Sequence, residues 1–428
     1  MESLLEFDLS ILFLVAVILI WFMIGYQFML TVAGFLHQLT SMKEQRKIDA
    51  SEFDYPRVSI LIPAHNEALV IGRTIEAMLA LHYPEDKMEV IVINDGSTDA
   101  TKEIIESYAK RDKRIVLYDV QKGEGGKGKS RALNLGLRVA TSQFIAIYDA
   151  DNTPDRNALR YLVAQLLLHP ELGAVLGKFR TVNKNRNLLT RFINVETLSF
   201  QSILQAGRWR LLNISTLPGT NFLIRKEAID QMHGWDEDAI TEDSELSIRL
   251  YIHGWKIKYI PYSVTYEQEP ETWSVWMKQR TRWVRGNNYV AKKFFRLRKE
   301  IKSKKLRLEL LYSLALYYIF FVAIIISDLL FLLAISNAVV ITLPGPYTLV
   351  WIFAIILFLA EILLAISYDR EDSFSSLGVI ALMYFSYCQL WIYIVGKAFY
   401  LDVVKKEKQS WTKTIRFEVP SEEESRND

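Results

Sequence analysis

The residues best suited to chemistry are carboxylates that follow predicted buried strands. Asp149 and Asp151 come directly after the apolar run 144–148, and Asp95 follows the apolar run 90–93. Paired carboxylates supply the oxygen ligands that Mg²⁺ or Mn²⁺ prefers, and such a metal would bridge phosphates. Asp95 could bind the base or ribose of a nucleotide. Since each feature alone is often only a solvated turn, the interpretation depends on what accompanies it.

A glycine-rich segment offers a second phosphate-binding feature. Residues 123–130 fit the phosphate-loop pattern G-x-x-x-x-G-K-[ST], with a predicted strand before them and a helix after them. An ATPase-driven transporter is therefore a competing interpretation. It leaves the acidic strand ends and the motifs further along the chain unexplained, whereas a glycine-rich loop at a helix start can hold any phosphate. We expect Lys129 to contact such a phosphate.

The elements that position these residues alternate regularly. Predicted strands cover 58–62, 90–93, 115–118 and 144–148, and predicted helices cover 68–81, 98–111 and 130–140. This alternation favours a doubly wound, mainly parallel sheet with helices on both faces, whose ligands bind at the carboxyl ends of the strands. Glu67, which follows the first strand, is therefore expected beside Asp95 and Asp149.

Apolar segments flank this domain. Residues 9–35 are long, apolar and preceded by acidic residues, which argues against a cleaved signal peptide and for an anchor with its N-terminus outside. Residues 310–341, 347–367 and 374–401 also exceed the roughly 20 residues that cross a bilayer. Asp328 and Glu361 lie within them, so they should face protein or a hydrated path rather than lipid.

The basic residues indicate which side of the membrane the domain occupies. Residues 278–307 hold thirteen Lys or Arg and one acidic residue, which is typical of a cytoplasmic membrane surface rather than of nucleic-acid binding. Three simple C-terminal spans would then leave the basic tail outside, against its charge. One apolar stretch could therefore bend back, contain an interfacial piece or cross twice. The single cysteine, Cys388, excludes a disulfide framework and a zinc-cysteine site.

Further motifs follow in a fixed order. They are Pro218-Gly-Thr-Asn221, Thr241-Glu-Asp243 and Gln279-x-x-Arg282-Trp283. Together with Asp95 and the D-x-D pair, they resemble the processive family 2 glycosyltransferases, which include cellulose, chitin, hyaluronan and poly-N-acetylglucosamine synthases. The resemblance covers residues 56–290 directly, and the flanking apolar segments are similar to that family's membrane layout.

The resemblance implies a GT-A-type catalytic domain with a divalent metal, Mg²⁺ or Mn²⁺, and a UDP-sugar donor. It places Asp95 on the uridine, and Asp149 and Asp151 on the metal and diphosphate. Asp243, with Glu242 beside it, is implied as the general base for the acceptor hydroxyl, in a single displacement that inverts the donor's configuration. The donor site is expected to include Glu67, Lys129 and Arg282, and the acceptor site Thr220, Asn221, Gln279 and Trp283.

The segment around Trp283 is predicted to lie at the membrane surface. Trp273, Trp276 and Trp283, with Met277 and Val284, approximate one helical face surrounded by basic residues. An aromatic side chain there could stack on an acceptor sugar, or serve only as a membrane anchor.

The predicted organisation has five parts. They are an anchor (1–38), a catalytic domain (39–270), interfacial helices (271–307), a C-terminal membrane region (308–401) and a basic, then acidic, cytoplasmic tail (402–428). We expect a membrane enzyme that polymerises an N-acetylhexosamine into an exported polysaccharide. The alternative is the addition of one sugar to a lipid acceptor. The expected partners are donor, acceptor and bilayer but no nucleic acid, and any regulatory or export function is expected on a partner chain.

Overall fold

The computed structural model describes residues 2–121, 123–297, 299–341, 345–407 and 416–417. The acidic tail end, 422–428, and the basic residues Lys408 and Lys413 lie outside these residues, so the predictions made for them stay untested.

The described strands form one eight-stranded sheet in the order β3-β2-β1-β4-β7-β6-β8-β5. The strands are β1 (Val58–Ala64), β2 (Met88–Asn94), β3 (Ile115–Asp119), β4 (Phe144–Ile147), β5 (Thr153–Pro154), β6 (Leu172–Thr181), β7 (Phe222–Arg225) and β8 (Lys256–Glu267). The four strands predicted from the sequence are β1 to β4, each within two residues at either end.

The predicted mainly parallel sheet is in fact mixed: of the seven strand pairings in the described residues, four are parallel, including that of β6 with β8, and three are antiparallel. β1 pairs in parallel with β2 and β4, and β2 with β3, because helices connect these strands. β7 runs antiparallel to β4 and β6, and β5 runs antiparallel to β8, so the whole sheet is mixed. The physical reason is that the chain between β6 and β7 does not make a single crossover helix over the sheet, but leaves it for a helical segment that packs on the N-terminal helix.

Helices cover both faces of the sheet and connect it to the apolar segments. In the catalytic domain they are α2 (Ile71–Leu79), α3 (Thr101–Ala109), α4 (Lys129–Val139), α5 (Ala158–Leu168), α6 (Leu188–Ser199), α7 (Arg208–Leu212), α8 (Lys226–Gln231) and α9 (Glu242–Ile252). A π-helical segment, Phe200–Gly207, joins α6 to α7. A 25-residue helix, α10 (Trp273–Leu297), follows the last strand.

The N-terminal helix α1 (Glu2–Asp49) is one continuous helix, so it does not end at the predicted anchor boundary of residue 38. Its last turns enter the core of the catalytic domain, where Ile48 is 1% exposed. Gly34 lets it approach the π-helical segment closely, because an added Cβ would lie 1.9 Å from the carbonyl oxygen of Ser202.

The C-terminal helices are α11 (Lys304–Ala315), α12 (Phe321–Ile335), α13 (Tyr347–Ser367), α14 (Phe374–Phe385) and α15 (Tyr387–Phe399), with π-helical segments at Leu316–Phe320 and Tyr400–Val404. Among the described residues, four helical stretches are long and apolar enough to cross a membrane: Phe7–Asp49, Tyr318–Ile335, Tyr347–Ser367 and Phe374–Val404. The predicted span 310–341 ends early, at Ile335, because Asn337 adopts the left-handed backbone conformation that terminates helices.

Asp328 and Glu361, which lie within these apolar helices, have protein neighbours, as predicted. Glu361 is 2% exposed. The indole nitrogen of Trp351 lies 3.4 Å from a carboxylate oxygen of Asp328.

Candidate active site

The carboxyl ends of β1, β2 and β4 lie side by side at one edge of the sheet, because these strands pair in parallel and in register. The residues that follow them line a cavity of about 120 Å³. The cavity brings together Glu67, Asp95, Lys129, Asp149, Arg282 and Arg416. All but Arg416 were predicted as donor-binding residues.

Backbone hydrogen bonds hold Asp95 in place, and one of its carboxylate oxygens is available to a ligand. Its N–H donates to the carbonyl of Ala64 (2.8 Å), and its carbonyl lies 2.7 Å from Nδ1 of His65. The residue is 4% exposed, and within the described part of the chain its Oδ1 atom has no hydrogen-bond partner. A buried polar atom without a partner costs free energy, so this oxygen is suited to a ligand's donor group.

Both carboxylates of the D-x-D pair contact basic side chains. The Nζ atom of Lys129 lies 2.6 Å from Asp149, and a guanidinium nitrogen of Arg416 lies 2.9 Å from Asp151. The backbone N–H of Gln268 also donates to Asp151 (3.1 Å). Burial raises the pKa of the Asp151 carboxyl, while the charge of Arg416 acts in the opposite direction.

These carboxylates have the right chemistry for a divalent metal but do not form a complete site. The described residues include no group of three or more His, Cys, Asp or Glu that could hold a metal ion. The oxygen ligands of Asp149 and Asp151 nevertheless suit Mg²⁺ or Mn²⁺. Clustered buried carboxylates need positive charge nearby, which Lys129 and Arg416 supply in this structure.

Glu242 and Asp243 occupy the first turn of α9, next to Lys129. The Nζ atom of Lys129 lies 3.6 Å from Glu242 and donates to the carbonyl of Gly219 at 2.7 Å. Gly219 has φ +88, and a Cβ there would lie 3.1 Å from Oδ2 of Asp243, so a side chain at this position would crowd the carboxylate.

The acidity of Asp243 suits a general base. Burial, and then the neighbouring charge of Glu242, raises the pKa of Asp243 to about 7, although Lys129 acts to lower it. A carboxylate whose pKa lies near neutral pH can accept a proton more strongly than an ordinary aspartate can.

Thr220 and Asn221, predicted to bind the acceptor, are buried behind the strand ends. The amide of Asn221 donates to the carbonyls of Lys178 (2.8 Å) and Ser263 (3.0 Å), and its side chain is inaccessible. The hydroxyl of Thr220 accepts from the N–H of Asp149 (3.1 Å) and donates to the Asn152 side chain. Thr220 therefore supports the D-x-D turn from behind, whereas Asn221 ties β6 to β8.

The helix α10 brings Arg282 to the cavity. Burial lowers the pKa of Arg282, while the carboxylates of Glu242, Asp149 and Asp243 act to raise it. One turn further along α10, Gly286 allows close packing on the T-E-D motif, since a Cβ there would lie 2.3 Å from Thr241. This contact couples the position of α10 to that of the candidate base.

Gln279 and Trp283 both contact Arg280, a residue that was not singled out from the sequence. The guanidinium of Arg280 lies 3.9 Å from the ring centroid of Trp283 and donates to the side chain of Gln279 at 2.5 Å. It also forms an ion pair with Glu196 of α6 at 2.5 Å. Trp283 itself is 38% exposed, which leaves part of its ring accessible.

The predicted apolar face of α10 faces protein more than membrane. Trp276 and Val284 are fully buried against α6 and the C-terminal helices. The indole N–H of Trp276 donates to the hydroxyl of Tyr387 (2.8 Å), which in turn donates to Glu196 (2.7 Å). The helix pattern was interpreted correctly as amphipathic, but the sequence alone did not distinguish a protein neighbour from lipid.

Arg416 is the other site residue that sequence reasoning missed. Besides Asp151, its guanidinium lies 3.8 Å from Glu67, and the adjacent backbone N–H of Phe417 donates to Gln268 (2.8 Å). Its only sequence signal was its place in a basic tail, and charge alone does not indicate an active-site contact.

The fold and the site together are those of a glycosyltransferase. Residues 56–286 match Glycosyltransferase like family 2, which is more than half of the chain. The chain therefore belongs to this family and is a transferase of sugars.

Two curated relatives extend the match to the flanking helices. The chain is 40% identical over 410 residues to the probable glycosyltransferase YdaM of Bacillus subtilis (strain 168), an alignment that covers 95% of this chain and 98% of that protein. It is 32% identical over 321 residues to the poly-beta-1,6-N-acetyl-D-glucosamine synthase of Staphylococcus epidermidis, covering 74% of each chain.

A solved structure shares the fold. The mannosyltransferase PcManGT from Pyrobaculum calidifontis, solved in complex with GDP-Man and Mn²⁺, superposes with a TM-score of 0.55 and 21% identity. The superposition covers 82% of this chain and 99% of that one. The catalytic part of this chain is thus a GT-A-like α/β domain with a mixed sheet.

Proposed function

We propose that this glycosyltransferase is a processive, inverting membrane enzyme that polymerises a sugar from a UDP-sugar donor into an exported exopolysaccharide. N-acetylglucosamine is the first donor sugar to test, because the staphylococcal relative is named for a polymer of it. The observation that carries the proposal is the single helix α10, which links the donor cavity at Arg282 to the partly exposed ring of Trp283.

Asp243 is assigned as the base, with Glu242 beside it. It would take the proton of the acceptor hydroxyl as that oxygen attacks the anomeric carbon of the donor. The bond from the anomeric carbon to the diphosphate breaks with inversion, and UDP leaves with the electron pair. The pKa of Asp243, near 7, supports its role as the base, because the Asp243 carboxylate is then both ionised and basic at neutral pH.

The remaining cavity residues are assigned to the donor. Asp95, with its buried oxygen available, would hold the uridine, and Glu67 lies at the same strand edge. Lys129 and Arg282 would neutralise the leaving diphosphate. A divalent metal held by Asp149 and Asp151 would supply further positive charge to the diphosphate.

The acceptor is assigned to the exposed part of Trp283, with Gln279 nearby. An aromatic ring offers a flat apolar surface on which a sugar ring can stack. Because Thr220 and Asn221 are buried, we assign Thr220 to support of the D-x-D turn and Asn221 to support of β6 and β8, instead of direct acceptor contact.

The proposed placement puts the catalytic domain in the cytoplasm and the N-terminus outside. The basic residues of 278–307 lie next to the apolar helices, as positive residues do on cytoplasmic surfaces. Domain boundaries follow the predicted five parts, except that α1 carries the anchor into the catalytic domain as one helix.

Purified protein in lipid nanodiscs, supplied with Mg²⁺ and a panel of radiolabelled UDP-sugars, tests the proposal. Product is analysed by gel filtration and by linkage-specific glycosidases, with Asp243→Asn as the inactive control. Long polymer from one donor supports it. A single labelled glycolipid would replace it with the alternative of one-sugar transfer to a lipid acceptor, and absence of transfer from every UDP-sugar would refute the donor class.

A further inference from the structure

The last apolar stretch, 374–404, differs from the other candidate spans in what its ends contact. Just before it, Asp369 pairs with Lys178 and Arg180 of β6, and Glu371 pairs with Lys184. The first turn of α14 is also tied to the domain, since Arg191 of α6 donates to Ser375 at 2.6 Å. The stretch therefore begins on the side of the catalytic domain.

The stretch also ends on that side. Asp402, in its final turn, accepts from Arg285 (2.7 Å) and Asn288 (2.9 Å) of α10. Arg285 then donates to the carbonyl of Glu407 at 2.7 Å. Since α10 packs directly on the catalytic domain through Gly286, both ends of the stretch lie on one side of the molecule.

The middle of the stretch also contacts the catalytic domain. The helix breaks at Ser386, whose backbone torsions (φ -128, ψ -75) are not helical. The next residue, Tyr387, is buried and bonded to Trp276 of α10 and Glu196 of α6. The kink between α14 and α15 thus contacts the catalytic domain and does not extend away from it.

Length decides against a crossing by either arm. The 12 residues of α14 and the 13 residues of α15 would span roughly 18 and 20 Å as helices. A bilayer core is roughly 30 Å thick. Neither helix alone can cross it, and a crossing by the two together would separate the ends of the stretch, which both contact the catalytic domain.

The exposed surface of α14 and α15 is rich in aromatic residues. Phe374 is 96% exposed, Phe385 62% and Tyr393 57%. Only a short loop separates α14 from the end of α13 at Ser367, so this face lies close to where that apolar helix ends. Exposed aromatic residues at the end of a spanning helix suit the boundary between lipid headgroups and acyl chains.

We infer that residues 374–404 form a kinked, in-plane pair of helices that rests on the lipid surface beside the catalytic domain and does not cross the membrane. The chain then crosses three times, through α1, α12 and α13, and its C-terminus stays on the catalytic side. This arrangement agrees with the contact of Arg416 with Asp151, and it removes the conflict between an odd number of C-terminal spans and a basic tail. The inference depends on the proposed membrane placement for one point only, which is that the catalytic side is the cytoplasmic side.

Single-cysteine labelling tests the topology. In a Cys388→Ala background, cysteines are placed at Ser336, in the loop after α12, at Asp372, before the stretch 374–404, and at Lys405, after it. All three positions are exposed. Membrane-impermeant maleimide is applied to intact cells and then to permeabilised cells. We expect Ser336→Cys to react in intact cells, and Asp372→Cys and Lys405→Cys to react only after permeabilisation.

The inference requires positions 372 and 405 to report the same side. Reaction of only one of them in intact cells would show that the stretch crosses and would overturn the inference. Reaction of both in intact cells, with position 336 protected, would preserve the in-plane arrangement but refute the proposed cytoplasmic placement. Polymer assays on the same variants report the proposed function separately.

Depth is measured with a bimane label at Phe385→Cys or Tyr393→Cys in nanodiscs that contain brominated phospholipids. We expect quenching by shallow bromines to exceed quenching by deep bromines, with little quenching by aqueous iodide. Strongest quenching by deep bromines would mean insertion, and quenching by iodide alone would mean a face exposed to water. Protection from all quenchers would mean that a protein partner covers the face. Each of these three results would contradict the placement of this face at the lipid surface.

Discussion

The guanidinium of Arg416 lies 2.9 Å from the carboxylate of Asp151, although the two residues are 265 positions apart. Asp151 is the carboxylate that the D-x-D motif assigns to the metal, so Arg416 and a divalent cation would compete for the same oxygen. The cavity that includes Arg416 measures about 120 Å³. Ligand pockets usually measure roughly 300–1,000 Å³, so we expect the donor to require displacement of this side chain.

Arg416→Ala is therefore expected to strengthen metal-dependent UDP binding. A charged hydrogen bond contributes roughly 1.5–3 kcal/mol, so removing the competitor should lower the Mg²⁺ concentration for half-maximal UDP binding by about tenfold. Calorimetric titration of UDP at several Mg²⁺ concentrations measures this. Arg138→Ala, at an exposed arginine of α4, is the matched control. An unchanged Mg²⁺ requirement in Arg416→Ala would show that the pair does not restrict the metal site.

Asp243→Asn should abolish most transfer while it preserves donor binding. The substitution keeps the shape of the side chain but removes its ability to take a proton, and loss of a general base costs roughly 10²- to 10⁴-fold in rate. Polymer synthesis and UDP affinity are measured on the same preparation. Asp238→Asn, at an exposed position before α9, should behave like the unaltered enzyme. Synthesis within about threefold of normal in Asp243→Asn would remove this residue from the mechanism, since a general base contributes far more than that.

The pKa of Asp243 near 7 predicts a pH dependence with a definite sign. Below that pH the carboxyl is protonated and cannot accept a proton, so the transfer rate at saturating donor should fall about tenfold per pH unit as the solution becomes more acidic. Above it, the rate should reach a plateau. The residual rate of Asp243→Asn should lack this limb. If that variant keeps the same limb, another group is responsible for it.

Trp283→Ala should separate polymer synthesis from donor chemistry. The donor cavity does not include Trp283, so UDP binding and slow hydrolysis of the donor by water should continue. Without the ring, the acceptor sugar loses its stacking surface, and polymer should be lost. Trp273→Ala is the matched control, because Trp273 lies on the same helix with similar exposure, 42% against 38%. Polymer of normal length and rate from Trp283→Ala would leave this residue as a membrane anchor only.

Arg280→Lys should weaken acceptor use without affecting the donor. Lysine keeps the charge opposite Glu196 but lacks the planar group that stacks on Trp283. A cation–π contact contributes about 0.5–2 kcal/mol, so the KM for a soluble oligosaccharide acceptor should rise roughly 2- to 30-fold. The KM for the UDP-sugar and the kcat at saturating acceptor should stay unchanged. Equal changes in both KM values would indicate a general structural role for Arg280.

The sequence alone was sufficient to predict the elements that depend on short, local residue patterns. Buried parallel strands appear as short apolar runs, so β1 to β4 could be predicted together with the polar residues at their ends. Because such ends meet at one sheet edge, the order of strands and helices along the chain was enough to place Asp95, Asp149 and Glu67 together. The later strands β5 to β8 were not predicted, and their pairings, which are antiparallel except for that of β6 with β8, depend on contacts between distant segments.

The interfacial region shows where local patterns stop being informative. The spacing of Trp276 and Val284 indicated an amphipathic helix, but apolar side chains pack equally well on protein and on lipid. Only the tertiary structure decided that they pack on the C-terminal helices. For the same reason, the apolar composition of 374–404 indicated a membrane span. The orientation that we infer for this stretch depends on ion pairs with residues that are distant in the sequence.

What the sequence determined by itself was the family, the combination of a catalytic domain with long apolar segments, and the residue types that are available at the strand ends. These follow from residue type and short-range order. The tertiary structure decided which partners those residues have: Arg416 on Asp151, Arg280 between Glu196 and Trp283, and Asn221 enclosed behind the strand ends. The reason is physical. A side chain's chemistry is fixed by its own covalent structure, whereas its neighbours are fixed by how the whole chain buries its apolar surface and pairs its charges.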